Sequence, residues 1–395
     1  MSRLIGTSSL GIRLPIVKQG DDLVKIVSDC FTEVIEQQKI EVSNTDIIGI
    51  TESLLARTQG NYVKLSYITE DLNSKYNDEI SLVHPILSRN RFLNILKAIA
   101  NTNKKVKIYL SYPSDEVGNL LMDKYEIMKK NVNIYKDTLT EEDYLNILGK
   151  KYLHPFTGLD YVEIYKSVFQ KGQVEILYSN NLEDIAKNSK SILVANIHDR
   201  EYMKEYFKEH GINSVYTLAD IMSSPINNSG YNEHYGLYGS NAASDDSLKL
   251  FPRDAKKFVD DVQAEIMKKT GKKIEVLVYG DGAFKDPIGG IWELADPVVS
   301  PGFTDGLIGR PNEVKIKYLA DNDLADLSGE EAIKAMKEKI KTKDDNDVTQ
   351  NAKLGTTPRQ LTDLVGSLCD LMSGSGDKGT PVIYIKGYFD NYSVE

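Results

Sequence analysis

The fold class of the chain is decided by the segment from Val174 to Thr217, VEILYSNNLEDIAKNSKSILVANIHDREYMKEYFKEHGINSVYT. It alternates short apolar runs with longer amphipathic stretches, which is typical of helices packed on a partly parallel sheet. The pattern predicts strands at Val174–Tyr178, Ile192–Asn196 and Ser214–Thr217, with helices at 181–187 and 200–209 between them. The sequence therefore predicts a mixed fold that combines α/β and α+β elements.

The same alternation extends over residues 78–235, where a strand at Val106–Ser111 and a helix at 91–101 precede this segment. Outside it, the pattern predicts helices at 23–37, from 52 to near Gly60, and at 254–270, 328–341 and 358–372, and strands at 47–51, 274–279 and 382–386. Because 395 residues exceed the roughly 250–300 at which one hydrophobic core stops growing, we expect two or three domains. The changes in pattern divide the chain into 1–77, 78–235 and 236–395.

Charge and cysteine content argue against several functional classes. The formal net charge is −10 and no long Lys/Arg block is present, which argues against nucleic-acid binding as the main function. A small anionic substrate stays compatible with this charge, because local basic residues or a metal can offset the negative net charge.

The N-terminus lacks an apolar signal segment, and the sequence has no run of about 18 apolar residues. Cys30 and Cys369 lie far apart, so reduced thiols are favoured over a disulfide, and we expect a cytoplasmic protein that does not bind a membrane.

The stretch from Val276 to Gly282, VLVYGDG, is the strongest local candidate for chemistry. An apolar strand brings Asp281 to its carboxyl end, which is where α/β proteins bind ligands. Gly280 and Gly282 would let a phosphate or a metal approach the backbone closely. The alternative interpretation is an Asp-Gly turn with a solvated carboxylate.

A second acidic cluster lies upstream at 239–247, GSNAASDDS. Small residues around Asp245 and Asp246, next to Asn241, predict a loop folded around a ligand, and an exposed helix cap is the alternative. Mg²⁺ and Mn²⁺ prefer hard oxygen donors, usually one or two carboxylates with phosphates and waters. Asp245 and Asp281 together would meet this requirement, so they are the candidate metal ligands.

Several basic residues lie in or near turns where a phosphate or a carboxylate could be held. They are Arg57, Arg89, Arg91, Lys285 and Lys378. Arginine supplies a planar fork that binds such groups in a bidentate manner. Each of these residues alone is more often a solvated side chain than a ligand contact.

Four stretches carry a resemblance to a known enzyme family. They are LPIVKQGDDL at 14–23, ITESLLARTQG at 50–60, SNAASDDS at 240–247, and a closing helix and strand at 361–372 and 380–387. In this order they resemble the LPxxxxGDDL, TSKxVSKxEG, ANAGVDxSN and VPVVxVRG segments of the coenzyme F-420-0:L-glutamate ligase (γ-glutamyl ligase) family, and the strand before Asp281 is similar to its VTDT. The chain departs from the family at Ser53, which replaces a lysine, at Gly280 and Gly282, which replace threonines, and at Leu248, which replaces an asparagine.

The resemblance implies a ligase that uses GTP or ATP, with Mg²⁺ or Mn²⁺, to phosphorylate an acceptor carboxylate that the amine of L-glutamate then attacks. It implies that Asp245 and Asp281 bind the metal and act in catalysis, and that Asn241 and Arg57 line the phosphate groove. Gly280, Gly282 and Lys285 are assigned with them to nucleotide binding. The resemblance further implies a homodimer and a ligase core, made of 1–77 and 236–395, that carries an inserted or enlarged α/β domain at 78–235.

The middle region has no recognisable triphosphate-binding loop, so we expect it to shape the acceptor pocket and not to bind the nucleotide. Arg89 and Arg91 are the candidate contacts to a small anionic carboxylate acceptor, and a salt-bridged helix start is the alternative. Two other functions stay open. One is a non-catalytic protein that binds a nucleotide or a metabolite, and the other is a metal-dependent hydrolase that uses the same aspartates.

Overall fold

The computed structural model describes residues 5–149, 151–154, 157–280, 283–285, 292–294, 299–309, 314–342, 360–373 and 379–390, with the backbone alone for 283–285, 292–294 and 299. Along the chain, the strands are β1 (Ser8–Ile12), β2 (Ile47–Thr51), β3 (Tyr62–Lys64), β4 (Glu79–Val83), β5 (Lys105–Leu110), β6 (Leu139–Thr140), β7 (Val174–Tyr178), β8 (Ser191–Val194), β9 (Ser214–Thr217), β10 (Asn241–Ser244), β11 (Ser247–Lys249), β12 (Glu275–Gly280), β13 (Ala283–Lys285), β14 (Trp292–Leu294), β15 (Val299–Phe303) and β16 (Val382–Lys386). The helices are α1 (Leu23–Gln37), α2 (Glu52–Gln59), α3 (Leu65–Lys75), α4 (Leu93–Ala100), α5 (Lys124–Lys129), α6 (Glu141–Leu148), α7 (Tyr161–Lys166), α8 (Leu182–Lys187), α9 (Arg200–Glu209), α10 (Ala255–Thr270), α11 (Ile316–Tyr318), α12 (Gly329–Lys341) and α13 (Leu361–Ser373).

One sheet has five strands in the order β1-β16-β2-β12-β15, in which β2 and β12 are parallel and the other neighbours antiparallel. Its strands are apolar on both faces because helices cover both, with α1 and α10 on one side and α13 on the other. Gly49 allows α13 to approach closely, since a Cβ there would lie well under 3.0 Å from Cys369 Sγ. Cys369 is fully buried, Cys30 is partly buried, and both are free thiols, as expected.

A second sheet has six strands in the order β6-β7-β5-β4-β8-β9, and all its neighbours are parallel except β6 and β7. The chain runs from β4 outward to β5 and β7, and then crosses to the other side of β4 to form β8 and β9. This reversal makes a doubly wound sheet with a topological switch point between β4 and β8. The predicted mixed fold is confirmed, as are β5, β7, β8 and β9, whereas the central strand β4 was not predicted.

A small antiparallel sheet has the strand order β10-β11-β3. Leu248 and Val63 pack into the core of the six-stranded sheet, together with residues of α3, so this core includes residues on both sides of 78–235. The segment predicted as a ligand loop is therefore a β-hairpin with Asp245 and Asp246 in its turn, and the helix-cap alternative is wrong. Burial of Leu248 and pairing with β3 impose strand structure on residues with low intrinsic β propensity.

The helices of the third region agree with their prediction. α10 ends where Gly271 adopts the left-handed conformation, with φ of 69°, and α12 and α13 begin within three residues of their predicted starts. None of the helices in the described ranges combines the length and the apolar character needed to cross a bilayer.

Candidate active site

The ends of β2 and β12 lie side by side, because the two parallel strands pair with Tyr279 opposite Thr51. α2 begins at Glu52, directly after β2, and β12 ends at Gly280. A Cβ at position 280 would lie well under 3.0 Å from Glu52 Cγ, so the close contact requires glycine. The carboxyl ends of two parallel strands, a common location for ligand chemistry, therefore bring Glu52 against the residue that precedes Asp281.

A buried ion pair occupies this position. The Lys249 ammonium binds Oε1 of Glu52, and the exposed fractions of the two residues are 7% and 2%. Lys249 reaches Glu52 from β11, where it is paired with Asn241 on one side and Tyr62 on the other. Directly opposed residues of an antiparallel sheet share a face, so Asn241 lies on the same face of the small sheet as Lys249.

The ring of Phe251 brings a second segment to the same place. Gly239, with φ of 69°, lies so close to this ring that a Cβ would come well under 3.0 Å from it. A Cβ on Gly280 would lie 3.4 Å from Cε1 of the same ring. Two glycines, one before β10 and one at the end of β12, therefore pack on one aromatic side chain, which positions the hairpin over the strand end.

Of the predicted metal ligands, the structure describes Asp245, which is exposed in the turn between β10 and β11. The same turn holds a hydrogen bond of 2.6 Å from Ser244 Oγ to Asp246 Oδ1. Asp281 and Gly282 lie outside the described residues, and Lys285 is described only by its backbone in β13. Within the described ranges, no group of three or more His, Cys, Asp or Glu residues is arranged to hold a metal ion. The pairing of Asp245 with Asp281 therefore stays a prediction.

Arg57, the predicted groove residue on α2, is exposed in the last turn of this helix. It lies five positions after Glu52, which corresponds to about 7.5 Å along the helix axis. It therefore lies towards the opposite end of α2 from the ion pair.

Arg89 and Arg91 lie in the turns before α4, beside the β10–β11 hairpin. The amide of Ala242 donates to the carbonyl of Asn90 at 3.2 Å, and Asn94 Nδ2 donates to the carbonyl of Ser244 at 3.0 Å. Arg89 is half-buried and Arg91 is 8% exposed. The structure thus brings both predicted arginines to the hairpin that carries Asn241 and Asp245.

Arg91 also lines a cavity of about 30 Å³ between the segment that precedes this hairpin and the six-stranded sheet. Its wall is mainly apolar, and Ser240 and Tyr238 complete it from the segment before β10. Ile86 and Ala195, which follow β4 and β8, place the cavity at the carboxyl ends of these two strands.

The switch point of the six-stranded sheet is occupied by one of the chain's own carboxylates. Glu116 accepts hydrogen bonds from the amides of Ile197 at 2.7 Å and His198 at 3.1 Å, and from His198 Nδ1 at 2.8 Å. These groups lie after β8, on one side of the crevice in which open α/β sheets of this topology bind ligands. The side chain of Glu116 takes that place here.

Comparison with protein-family models assigns the chain to a family over almost its full length. A family model described as F420-0:Gamma-glutamyl ligase matches residues 11–387, nearly the whole chain. The chain belongs to this family. It is therefore an enzyme, a ligase of the γ-glutamyl type, and the family predicted from the four motifs is confirmed. A comparison of the sequence with curated proteins finds no match.

Glu52 and Lys249 are candidate site residues that the sequence did not predict. Glu52 was interpreted only as the start of a helix, although a carboxylate directly after a predicted strand carries the same signal as Asp281. Lys249 lies between Leu248 and Leu250 in a run that alternates across the sheet, so its side chain could be assigned to the opposite face from the core, but not to a partner.

Proposed function

We propose that this ligase joins L-glutamate, or a similar amino acid, to a small anionic carboxylate acceptor with consumption of GTP or ATP. The observation that carries the proposal is the convergence of a buried ion pair, Asn241 and Gly280 at the carboxyl ends of β2 and β12. In a chain of this family, such a site suits the charge changes of phosphoryl transfer, which depends on positioning and electrostatic stabilisation more than on covalent help. We propose that the reaction takes place in the cytoplasm, where nucleoside triphosphates are available.

The proposed reaction has two steps. An oxygen of the acceptor carboxylate attacks the γ-phosphorus, the bond from this phosphorus to the bridging oxygen of the nucleoside diphosphate breaks, and an acyl phosphate forms. The amine of glutamate then attacks the carbonyl carbon, phosphate leaves with the former carboxylate oxygen, and the nitrogen loses a proton. Without phosphorylation, the carboxylate oxygen would be too poor a leaving group for the amine to displace.

We assign the metal to Asp245 and Asp281. The donor chemistry fits, because Asp245 is exposed on a turn that also carries the oxygens of Ser244 and Asp246, and hard oxygen donors suit Mg²⁺ and Mn²⁺. When bound, such an ion would neutralise charge on the phosphates. Asn241, Arg57, Lys285 and the backbone at Gly280 and Gly282 are assigned to nucleotide binding.

We assign the acceptor to the side of the hairpin that faces the six-stranded sheet. Arg89 and Arg91 lie there, and a guanidinium group matches a carboxylate in both charge and shape. The occupation of the switch point by Glu116 supports a role for this sheet in shaping the acceptor pocket and not in binding the nucleotide. The inserted domain at 78–235 would then determine which acid is used.

A turnover assay with a panel of carboxylic acids tests the proposed function. The ligase, GTP or ATP, Mg²⁺ and each acid are combined with and without L-glutamate, while released phosphate and the amide product are measured. We expect phosphate and amide in equal amounts, and only when both the acid and glutamate are present. Phosphate without amide would indicate a hydrolase, and triphosphate binding without turnover would indicate a non-catalytic protein.

A further inference from the structure

The first turn of α2 has no basic residue, although the family carries a lysine at the position of Ser53. Ser53 is exposed, and its neighbour Glu52 makes this turn acidic. Arg57 is the one basic residue of α2, and it lies in the last turn. A positive charge that neutralises a phosphate at the end of β2 therefore has to come from another strand or helix.

Lys249 brings a positive charge to this turn from β11. Its ammonium group binds Glu52, and it shares a face of the small sheet with Asn241, a proposed phosphate-groove residue. Glu52 in turn packs against Gly280, one residue before the proposed metal ligand Asp281. The ammonium is therefore fixed on the side of α2 that faces the strand ends.

Stability alone gives a weak reason to keep this charged pair. Removing two charges from water costs about as much as their attraction returns, and an apolar pair of the same size is often as stable or more so. Buried charges with defined partners, at the carboxyl ends of parallel strands, are instead typical of functional sites. Glu52 and Lys249 are both buried and lie at such a position.

We propose that Lys249 is the phosphate-binding cation of this ligase and replaces the lysine that the family carries at position 53. The proposal rests on the proposed function. The ammonium group binds oxygens of the triphosphate and stabilises the charge that builds up there during transfer to the acceptor carboxylate. Glu52 is a positioning residue, because it holds the ammonium at the end of β2 and acts on the phosphate only through Lys249.

A relocation experiment tests this proposal. The double variant E52Q/K249M removes both charges of this ion pair at once. We expect kcat/KM for the triphosphate to fall about 100-fold or more, as when one electrostatic stabiliser is removed. Adding Ser53→Lys to the double variant returns a lysine to the first turn of α2, and we expect it to recover about tenfold or more of the lost activity, about 1.4 kcal/mol. A purely structural ion pair would give no such recovery.

Lys64→Met is the matched control, because Lys64 is an exposed lysine in the same small sheet, opposite Ser247. It should keep the kinetics of the parent. Activity of E52Q/K249M equal to the parent, or a triple variant without recovery, would overturn the proposal. If the double variant does not fold, E52Q/K249Q removes the same two charges and keeps polar side chains at both positions. The proposal then requires that this folded variant has little triphosphate affinity, and affinity equal to the parent would overturn it.

Calorimetric titration with Mg²⁺ and a non-hydrolysable GTP analogue separates this proposal from the proposed function. A parent that binds the analogue but forms no amide contradicts the ligase assignment alone. The role of Lys249 is then decided by the affinity for the analogue. Affinity that is lost in E52Q/K249M and recovered when Ser53→Lys is added supports this role, whereas unchanged affinity in E52Q/K249M overturns it. A parent with no affinity for the analogue overturns both.

Discussion

Replacing Gly49 by alanine should destabilise the five-stranded sheet through its contact with α13. The new Cβ would lie well under 3.0 Å from Cys369 Sγ, 3.2 Å from Cys369 Cβ and 3.3 Å from Tyr279 Cδ1. Cys369 is fully buried, so its sulfur cannot move into solvent, and α13 has to shift. Overpacking of a core costs about 1–3 kcal/mol, and we expect about 2–3 kcal/mol because the overlap involves helix and sheet together.

Combining Gly49→Ala with Cys369→Ala should relieve most of this overlap, because the second substitution removes the sulfur. The remaining contact, between the new Cβ and the Cβ of residue 369, is 3.2 Å and can be accommodated by a small shift. The single Cys369→Ala variant should itself cost about 1–2 kcal/mol from the cavity that it leaves. The double variant should cost about 1–2 kcal/mol less than the sum of the two single variants. Urea unfolding of the parent, the two single variants and the double variant measures the three changes in the free energy of unfolding. A Gly49→Ala cost below about 0.5 kcal/mol, or strictly additive costs, would refute this packing of α13 on β2.

Other variants test the site. Lys249→Met removes the ammonium group that binds the buried Glu52 carboxylate, so it should lower the free energy of unfolding by about 3–5 kcal/mol, whereas E52Q/K249M should stay much closer to the parent. Equal urea midpoints for the two variants would contradict a buried ion pair at this position. Asp281→Asn should abolish turnover with Mg²⁺ or Mn²⁺ and keep the fold, and calorimetry showing unchanged metal and nucleotide binding would contradict the metal assignment. Replacing Arg89 and Arg91 by alanine should raise KM for the acceptor with nucleotide binding nearly unchanged, as expected for lost ground-state contacts; unchanged acceptor kinetics or lost nucleotide affinity would contradict this division of roles. We also expect a homodimer, and light scattering that shows a monomer throughout the micromolar range would argue against it.

The doubly wound sheet could be predicted in large part from local sequence. β7, β8 and β9 are runs of four or five residues that are rich in β-branched and aromatic side chains and lie next to asparagine-containing turns, so composition and length identify them. β4 gives no such signal, because it begins with Glu79 and contains the buried Ser81. Its place at the centre of the sheet is set by pairing with β5 and β8, which are distant in sequence.

The site was predictable only where one segment contains the whole signal. The strand that ends at Gly280, directly before Asp281, could be identified from its own apolar run. The pair of Glu52 and Lys249 could not be identified in this way, because the two residues lie 197 positions apart and meet through tertiary contacts, among them the pairing of β11 with β3. For the same reason, Arg89 and Arg91 could be proposed as anion contacts from their chemistry, but their position beside the hairpin depends on the tertiary fold.

The origin of the oxygen in the released phosphate tests the proposed ligase reaction most directly. Turnover is run in water labelled with ¹⁸O, with GTP or ATP, Mg²⁺, L-glutamate and an acid from the panel, and the phosphate is analysed by mass spectrometry. Transfer through an acyl phosphate takes the fourth phosphate oxygen from the acceptor carboxylate, so we expect unlabelled phosphate and one amide per phosphate. Phosphate that carries one solvent oxygen would show that water attacks the γ-phosphorus, and it would contradict the ligase reaction proposed for this chain.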